Sequence, residues 1–502
     1  MIEDIKKAFR QSVVYSLGNM STKLIGLILI PLYTNQDYLT VDEYGVLGIL
    51  EITSQVLVAL MSLTLAQSLT RWFWDKNYIH RQKSIFFTSM IVLILVSALF
   101  LLGLLPFSEA ISRLLFQSGA YRYVIQLLLL NTGLQILIAQ TQTLLKLQSK
   151  ALWYSLANIT KLSITLGLTI YFILARGKKL DGIYEAQLIG SLSIFLVMIP
   201  YIIRQSKARF ERRILREMLH YSLPLMLASV SGVFFSVIDR YSLNYLDGID
   251  RVGVYNLGYK LASTLKLVVI TSVQLALSPI LMKKMNDPDN RSFYAKVMTY
   301  FALFLMFCVV GLSLFSLEVI KVASRDMIYW ESAQIVAILS LSFFFSMLKD
   351  ASFIGLQVVK RTRIAALLIA ASSLINLGLN ILLIPRYSIY GAAVGTLLSQ
   401  LIFFLMIYAA AQKYYRIPYE LGRVSLILFA GILLIGLGFL LNPLPLAYRL
   451  ILKTLLLVSY PFLFLIPGFL RTEEAAYLTK VFQSWMSPKL IRSKLKRLFL
   501  KK

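Results

Sequence analysis

The sequence predicts an all-α membrane protein that crosses the bilayer many times. Three observations predict it: a shortage of charge, apolar runs of bilayer length from end to end, and an uneven distribution of lysine and arginine between alternate loops. Of the 502 residues, 58% are hydrophobic and only 15% are charged, against about 25% in an ordinary soluble domain. Most of the chain therefore has no water-facing side to decorate, and a soluble multidomain reading fails on composition.

Runs of roughly 20 apolar residues, each long enough to cross ~30 Å of hydrocarbon, divide the chain into about fourteen spans by periodicity and length. They are 11–32, 43–68, 84–106, 121–145, 151–175, 183–203, 219–240, 252–281, 294–316, 332–357, 363–384, 390–412, 422–441 and 449–470. Pro31, Pro106, Pro200, Pro385 and Pro467 fall near span ends, and Pro224 near the start of the seventh. Pro279 and Pro461 lie within spans or near their ends, where neighbouring helices can satisfy the freed carbonyls. Lys6, Lys7 and Arg10 precede the first run. That run continues as a full span and lacks a small-residue cleavage site, so it reads as the first membrane helix and not as a signal peptide.

The third observation orients the spans. With the N-terminus in the cytoplasm, alternate segments hold roughly 34 Lys/Arg on the cytoplasmic side and roughly 10 outside. The largest internal cluster is Arg204, Lys207, Arg209, Arg212, Arg213 and Arg216; Arg176, Lys178 and Lys179 are the exception, falling outside. Both termini are then cytoplasmic. The same bias accounts for the net charge of +27, spread along a membrane edge where anionic lipid headgroups attract it. A nucleic-acid protein would gather such charge on a soluble domain with aromatic platforms. The tail, 471–502, reads either as a basic amphipathic helix on the cytoplasmic surface or as a disordered basic segment.

An internal repeat orders the spans further. DEYGV (42–46) and DRVGV (250–254) each open an even-numbered span, and lie as far apart as residues 11 and 219, where spans one and seven begin. Ile183, Tyr184 and Ala186 match Ile389, Tyr390 and Ala392 at nearly the same separation. The implied unit is six spans. An even number returns the chain to its starting side, so the two copies point the same way around an axis along the membrane normal. The expected organisation is a first lobe (1–203), a basic linker (204–218), a second lobe (219–412), two additional spans (413–470) and the tail. A cleft between two such lobes can open to either side as they rock.

Charges inside spans mark candidate function, because a mid-bilayer charge costs roughly 2.5–3.5 kcal/mol on insertion scales. Lys23 and Lys266 fall near mid-span, and Lys161, Lys260 and Lys349 also lie within spans. Ser12, Ser16, Asn19, Lys23 and Gly26 step along one helical face, as do Tyr255, Tyr259, Ser263 and Lys266. Lys260 points away from that second stripe. Each lysine either faces a wet cavity or is accounted for by snorkelling or a structural ion pair. The in-span carboxylates are Glu51, Glu185, Asp239 and Asp350. Asp239 adjoins Arg240 and Asp350 adjoins Lys349, but adjacent helical residues do not face each other, so these need not be mutual pairs. The excess of cations favours an anionic substrate. Glu51, Asp239 and Asp350 are candidates for ion coupling.

Other chemistries lack their residues. The one cysteine, Cys308, and the two histidines, His80 and His220, cannot build a disulfide framework or an H-E-x-x-H site, so no metal or cofactor is expected. No G-x-x-x-x-G-K-[ST] loop is present for ATP, and the outer loops are too short for a glycan polymerase or ligase to place a catalytic site there.

Three stretches carry a family resemblance: DEYGVLGILEITSQVLVALMSLTLAQSLTR (42–71), DRYSLNYLDGIDRVGVYNLGYKLAS (239–263) and NLGLNILLIPRYSIYGAAVGTLLS (376–399). They resemble, respectively, the second span, the junction of spans seven and eight, and spans eleven and twelve of the O-antigen and polysaccharide flippases. These belong to the multidrug/oligosaccharidyl-lipid/polysaccharide exporter superfamily. The resemblance implies fourteen helices in two six-helix lobes plus two. It implies transport of undecaprenyl-(di)phosphate-linked oligosaccharide across the bacterial cytoplasmic membrane, alongside polysaccharide polymerase machinery, and no enzymatic activity. Related lipid II flippases hold basic residues on their first and eighth helices, the spans of Lys23 and Lys266 here. The cavity set expected is Lys23, Lys266, Lys161, Lys260, Lys349, Arg240, Asn19 and Tyr259. The rivals are a cation-coupled drug antiporter of the same superfamily, a membrane glycan polymerase or ligase, and a scaffold for glycan assembly. The lysine excess argues against the antiporter.

Overall fold

The computed structural model describes residues 26–324 and 326–464. Asn19, Lys23, most of the expected first span and the basic tail lie outside these residues. All regular structure among the described residues is helical. The helices are α1 (Ile30–Tyr33), α2 (Val41–Met61), α3 (Leu65–Phe73), α4 (Gln82–Leu104), α5 (Ser108–Phe116), α6 (Arg122–Leu147), α7 (Ala151–Leu174), α8 (Leu180–Gln205) and α9 (Arg212–Leu246). They continue as α10 (Ile249–Thr264), a π turn (Leu265–Ile270), α11 (Thr271–Lys283), α12 (Asn290–Leu314), α13 (Ser316–Ala323), α14 (Ser332–Val358), α15 (Thr362–Tyr414), α16 (Leu421–Leu440) and α17 (Leu446–Phe462).

Ten of these helical stretches are long and apolar enough to cross a membrane. One of the ten, α15, is a hairpin covering the expected spans 363–384 and 390–412. Pro385 interrupts its hydrogen bonding and Ser388 reverses the chain at φ 53°, ψ −132°. The legs run antiparallel, since Asn376 Nδ2 donates to Ser399 Oγ at 2.7 Å. The expected span 252–281 is not one unbroken helix, because the π turn divides it into α10 and α11. The expected span 43–68 also breaks: Leu63 and Thr64 take positive φ values of 47° and 49° between α2 and α3. Thr64 Oγ1 then donates to the Ser222 carbonyl (2.8 Å) and Ser68 Oγ to the Met218 carbonyl (3.1 Å), which fastens α3 to α9. In the last expected span, α17 has 17 residues.

Local sequence explains the helix starts. Thr40 Oγ1 accepts from Glu43 N–H (3.2 Å) while Glu43 Oε2 accepts from Thr40 N–H (2.8 Å), a reciprocal cap at the head of α2. Asp42 and Glu43 in the first turn complement the helix dipole.

Helices of the first half pack mainly on one another, with α7 on α8, α6 on α8, and α4 and α2 on α6. In the second half α14 packs on α15, α9 on α15, and α12 and α10 on α14; α16 and α17 pack on α12. The halves meet where α2 crosses α10 and where α2 and α3 lie against α9. The α2–α10 crossing is at the repeated motif itself. A Cβ built on Gly45 would overlap the Ile249 carbonyl, and one on Gly253 would lie 2.5 Å from the Val41 carbonyl oxygen. Equivalent glycines of the DEYGV and DRVGV motifs thus allow the two backbones to touch.

Hydrogen bonds between loops define two faces. On the basic face, Lys83 Nζ donates to the Arg204 carbonyl (2.9 Å) and Arg81 pairs with Glu211 (3.2 Å). On the opposite face, Thr34 reaches the Ala323 carbonyl, Lys179 pairs with Glu43, Arg251 with Glu331, and Ser388 with Asp247. The helix flanks between the faces display large apolar side chains, among them Leu152, Trp153, Val197, Leu367, Leu382 and Phe429. Such a continuous apolar belt is a surface for hydrocarbon, and the chain is a multi-pass membrane protein.

Candidate functional site: a polar chamber between the helix sets

From their crossing, α2 and α10 run on either side of a cavity of about 690 Å³. One wall carries Glu51, Ser54, Gln55, Gln135, Tyr184 and Gln187, from α2, α6 and α8. The other carries Ser236, Arg240, Asn256, Tyr259, Lys260, Ser263 and Lys266, from α9, α10 and the π turn. Two smaller compartments share these walls. One, of about 270 Å³, reaches Lys161 on α7. The other, of about 160 Å³, reaches Asp239 and Lys349.

The cations are held in distinct ways. Lys260 Nζ lies 2.9 Å from Glu51 Oε1, and 5.4 Å and 6.0 Å from the ring centres of Tyr44 and Tyr33. Sequence spacing directs Lys260 away from the stripe of α10. The structure places it in the chamber as well, because its flexible stem reaches Glu51 across the gap. Arg240 is buried: its guanidinium donates to the Ser236 carbonyl (2.6 Å), stacks 4.1 Å over the Tyr259 ring centre and lies 3.5 Å from Asp239 Oδ1. Lys349 Nζ lies 2.8 Å from Asp350 Oδ1 and 5.0 Å from the Phe403 ring centre. Adjacent helical positions do bring these two pairs within ion-pair distance, Arg240 by bending back over its own turn to the Ser236 carbonyl. Lys266 sits in the π turn and lines both the chamber and the smallest compartment. Thr271 Oγ1 caps the Lys266 carbonyl at 2.8 Å, stabilising a distortion of the kind that recurs at functional sites.

The carboxylates are occupied. Asp239 Oδ2 accepts from the Tyr255 hydroxyl (2.7 Å) and Oδ1 from Arg240 N–H (2.8 Å). Asp350 Oδ2 accepts from Gln274 Nε2 (2.9 Å) and faces a separate, largely apolar pocket bounded by Leu277, Phe301 and Met347. The chamber and its two compartments thus gather Lys161, Arg240, Lys260, Lys266 and Lys349 against Glu51 and Asp239 among the described residues. No group of three metal-ligating side chains stands together among those residues.

Sequence reasoning missed the uncharged polar wall: Asn131, Gln135, Gln187 and Ser191. A signal was present, since Asn131 and Gln135 are one turn apart on α6, and Gln187 and Ser191 one turn apart on α8. It also missed a buried ion cluster away from the chamber. Lys453 Nζ lies 2.8 Å from Glu318 Oε1 and 2.8 Å from Asn442 Oδ1, with Arg449 Nε 2.7 Å from the same carboxylate oxygen.

Comparison with known proteins agrees with this architecture. The family described as polysaccharide biosynthesis protein matches residues 8–285. An uncharacterized membrane protein of Methanocaldococcus jannaschii is 23% identical over 204 residues, a match spanning 40% of each chain. Among solved structures, the lipid II flippase MurJ in an inward closed conformation superposes with a TM-score of 0.68 at 15% identity, covering 90% of this chain and 98% of that one. An inward-facing multidrug resistance MATE family transporter of the MOP superfamily gives 0.65 at 13% identity, covering 83% and 95%. The fold is the one these transporters share.

Proposed function

We propose that this chain, which belongs to the polysaccharide biosynthesis protein family, is a flippase. Its cargo on this reading is an undecaprenyl-(di)phosphate-linked oligosaccharide, carried from the inner to the outer leaflet of the cytoplasmic membrane for surface polysaccharide biosynthesis. The observation that carries the reading is the chamber's charge. Five cations, against Glu51, Asp239 and the Asp350 partner of Lys349, surround a cavity inside an apolar belt, and a cation excess facing a cavity within the membrane attracts an anion. The lipid II flippase has the same fold.

In the mechanism, residues 1–203 and 219–412 act as two lobes and 413–470 as a flanking pair of spans. Lys260, Lys266 and Arg240 receive the phosphate by charge-assisted hydrogen bonds. Lys161, Lys349, Tyr259 and, from the first span, Lys23 and Asn19 complete the polar surface. The glycan occupies the wet interior while the polyprenyl chain remains in lipid. The Gly45–Gly253 crossing keeps the non-basic face shut until the lobes rock. Glu51 couples this motion to an ion, a role supported by its pairing with Lys260, the one bridge between the two lobes through a chamber lysine among the described residues. The basic face lies in the cytoplasm against anionic lipids, and polymerase machinery receives the product outside.

Reconstitution tests this. Vesicles containing the purified chain and a fluorescent undecaprenyl-diphosphate sugar should show protein-dependent loss of signal to a membrane-impermeant quencher, without ATP. The Lys260→Ala/Lys266→Ala variant should slow it about tenfold or more while remaining folded. Wild-type rates in that variant would remove the assigned site.

A further inference from the structure

The chamber is chemically two-sided. Resting on the flippase reading, we infer that the compartment between α6, α7 and α8 is the subsite for a sugar ring of the substrate, separate from the phosphate-binding wall of α9 and α10. Of the groups around its roughly 270 Å³, six are uncharged and polar (Tyr33, Asn131, Gln135, Thr165, Gln187 and Ser191), and the two charged ones, Glu51 and Lys161, are of opposite sign, so the compartment has no cation excess. A phosphate calls for cations and fixed N–H donors. A sugar ring presents hydroxyls that each donate and accept, and carboxamides match them because one group offers two donors and an acceptor.

The polar groups are also arranged as a site with vacant valences. Ser191 Oγ donates to Asn131 Oδ1 at 2.7 Å, and Asn131 Nδ2 donates to Gln187 Oε1 at 3.3 Å. This relay fixes the Gln187 amide and leaves its Nε2 with no acceptor among the described residues. Gln135, one turn along α6 from Asn131, makes no hydrogen bond with any described residue. The Thr165 hydroxyl is buried and unpaired among them. Gln135 and Gln187 are half-buried and line the compartment, so their open donors and acceptors match a hydroxyl-rich occupant. The compartment joins the main chamber through Glu51, Gln135 and Gln187, which line both. A phosphate on Lys260 therefore has its first sugars directed toward α6 and α8.

Binding to the purified chain in lipid nanodiscs, measured by calorimetry, tests the subsite. The probes are undecaprenyl diphosphate and the same carrier bearing a single glucose, galactose or N-acetylglucosamine. The native chain should bind at least one sugar-bearing probe about tenfold more tightly than bare carrier. Gln135→Ala/Gln187→Ala should bind that probe no more tightly than bare carrier, with bare-carrier affinity kept. Should the double variant fail to fold, Gln135→Ala alone should lose part of the preference. Equal binding of all four probes by the native chain, or an unchanged preference in the variants, overturns the subsite and leaves the flippase reading standing. A native chain that binds none of the probes overturns both.

Discussion

Lys260 and Glu51 form the most informative pair of side chains in the chamber. Their side chains are 13% and 30% exposed, so the pair is wetter than a fully buried one and contributes less to stability than the ~3–5 kcal/mol lost when a buried pair is broken. Its consequence is for binding: Glu51 competes with any incoming anion for the Lys260 ammonium. Glu51→Gln removes the competitor and should tighten binding of undecaprenyl diphosphate severalfold; calorimetry that found weaker binding would contradict the competition. Lys453 belongs to the other regime. Its side chain is 1% exposed, between Glu318 and Asn442. Glu318→Ala leaves Lys453 and Arg449 without their carboxylate and should cost about 3–5 kcal/mol. Lys453→Met, which keeps the Arg449–Glu318 pair, should cost clearly less. Thermal unfolding of the two variants in one detergent makes the comparison, and equal losses would refute the ranking.

Helices α2 and α10 are the elements that make a chamber possible, because they touch from Gly45 and Gly253 as far as Gly48 and Asn256 and line the cavity beyond. The touching end needs glycine: a methyl group at residue 45 meets the Ile249 carbonyl, and one at 253 meets that of Val41. Gly45→Ala should therefore prise the crossing open. In a Cys308→Ser background, a cysteine at Ser263, which lines the chamber beyond the crossing, should react faster with an impermeant maleimide supplied from the non-basic face. An unchanged rate would mean that the crossing is not the closure. The π turn after α10 acts at the same scale: it carries Lys266, which lines two of the compartments.

At the scale of the whole molecule, the net charge of +27 is organised by face. Arg204, Lys207, Arg209, Arg212, Arg213 and Arg216 are all exposed at one end of the bundle. If that end is cytoplasmic, as the lysine and arginine bias requires, Ala208→Cys in a Cys308→Ser chain should label with an impermeant thiol reagent only after cells are lysed. Asp37→Cys, on the opposite face, should label in intact cells. The reverse pattern would invert the transport direction proposed.

The sequence by itself determined the class of the molecule and most of the apolar runs that form its long helices, and it showed the recurrence of one motif. Each of these follows from a one-dimensional quantity: the shortage of charge, the length of apolar runs, and the recurrence of DEYGV as DRVGV. It also picked out Lys161, Lys260, Lys266 and Lys349, because a charge in an apolar run is conspicuous without coordinates. Only the tertiary structure decided what those charges face. Whether Lys260 meets Glu51 depends on two helices brought together from distant parts of the chain by the contact at Gly45 and Gly253. The Asn131, Gln135, Gln187 and Ser191 wall escaped notice for a related reason: an uncharged amide in a membrane helix is as often a helix–helix hydrogen bond as a cavity lining. The two differ only in whether a neighbouring helix fills the space beside it.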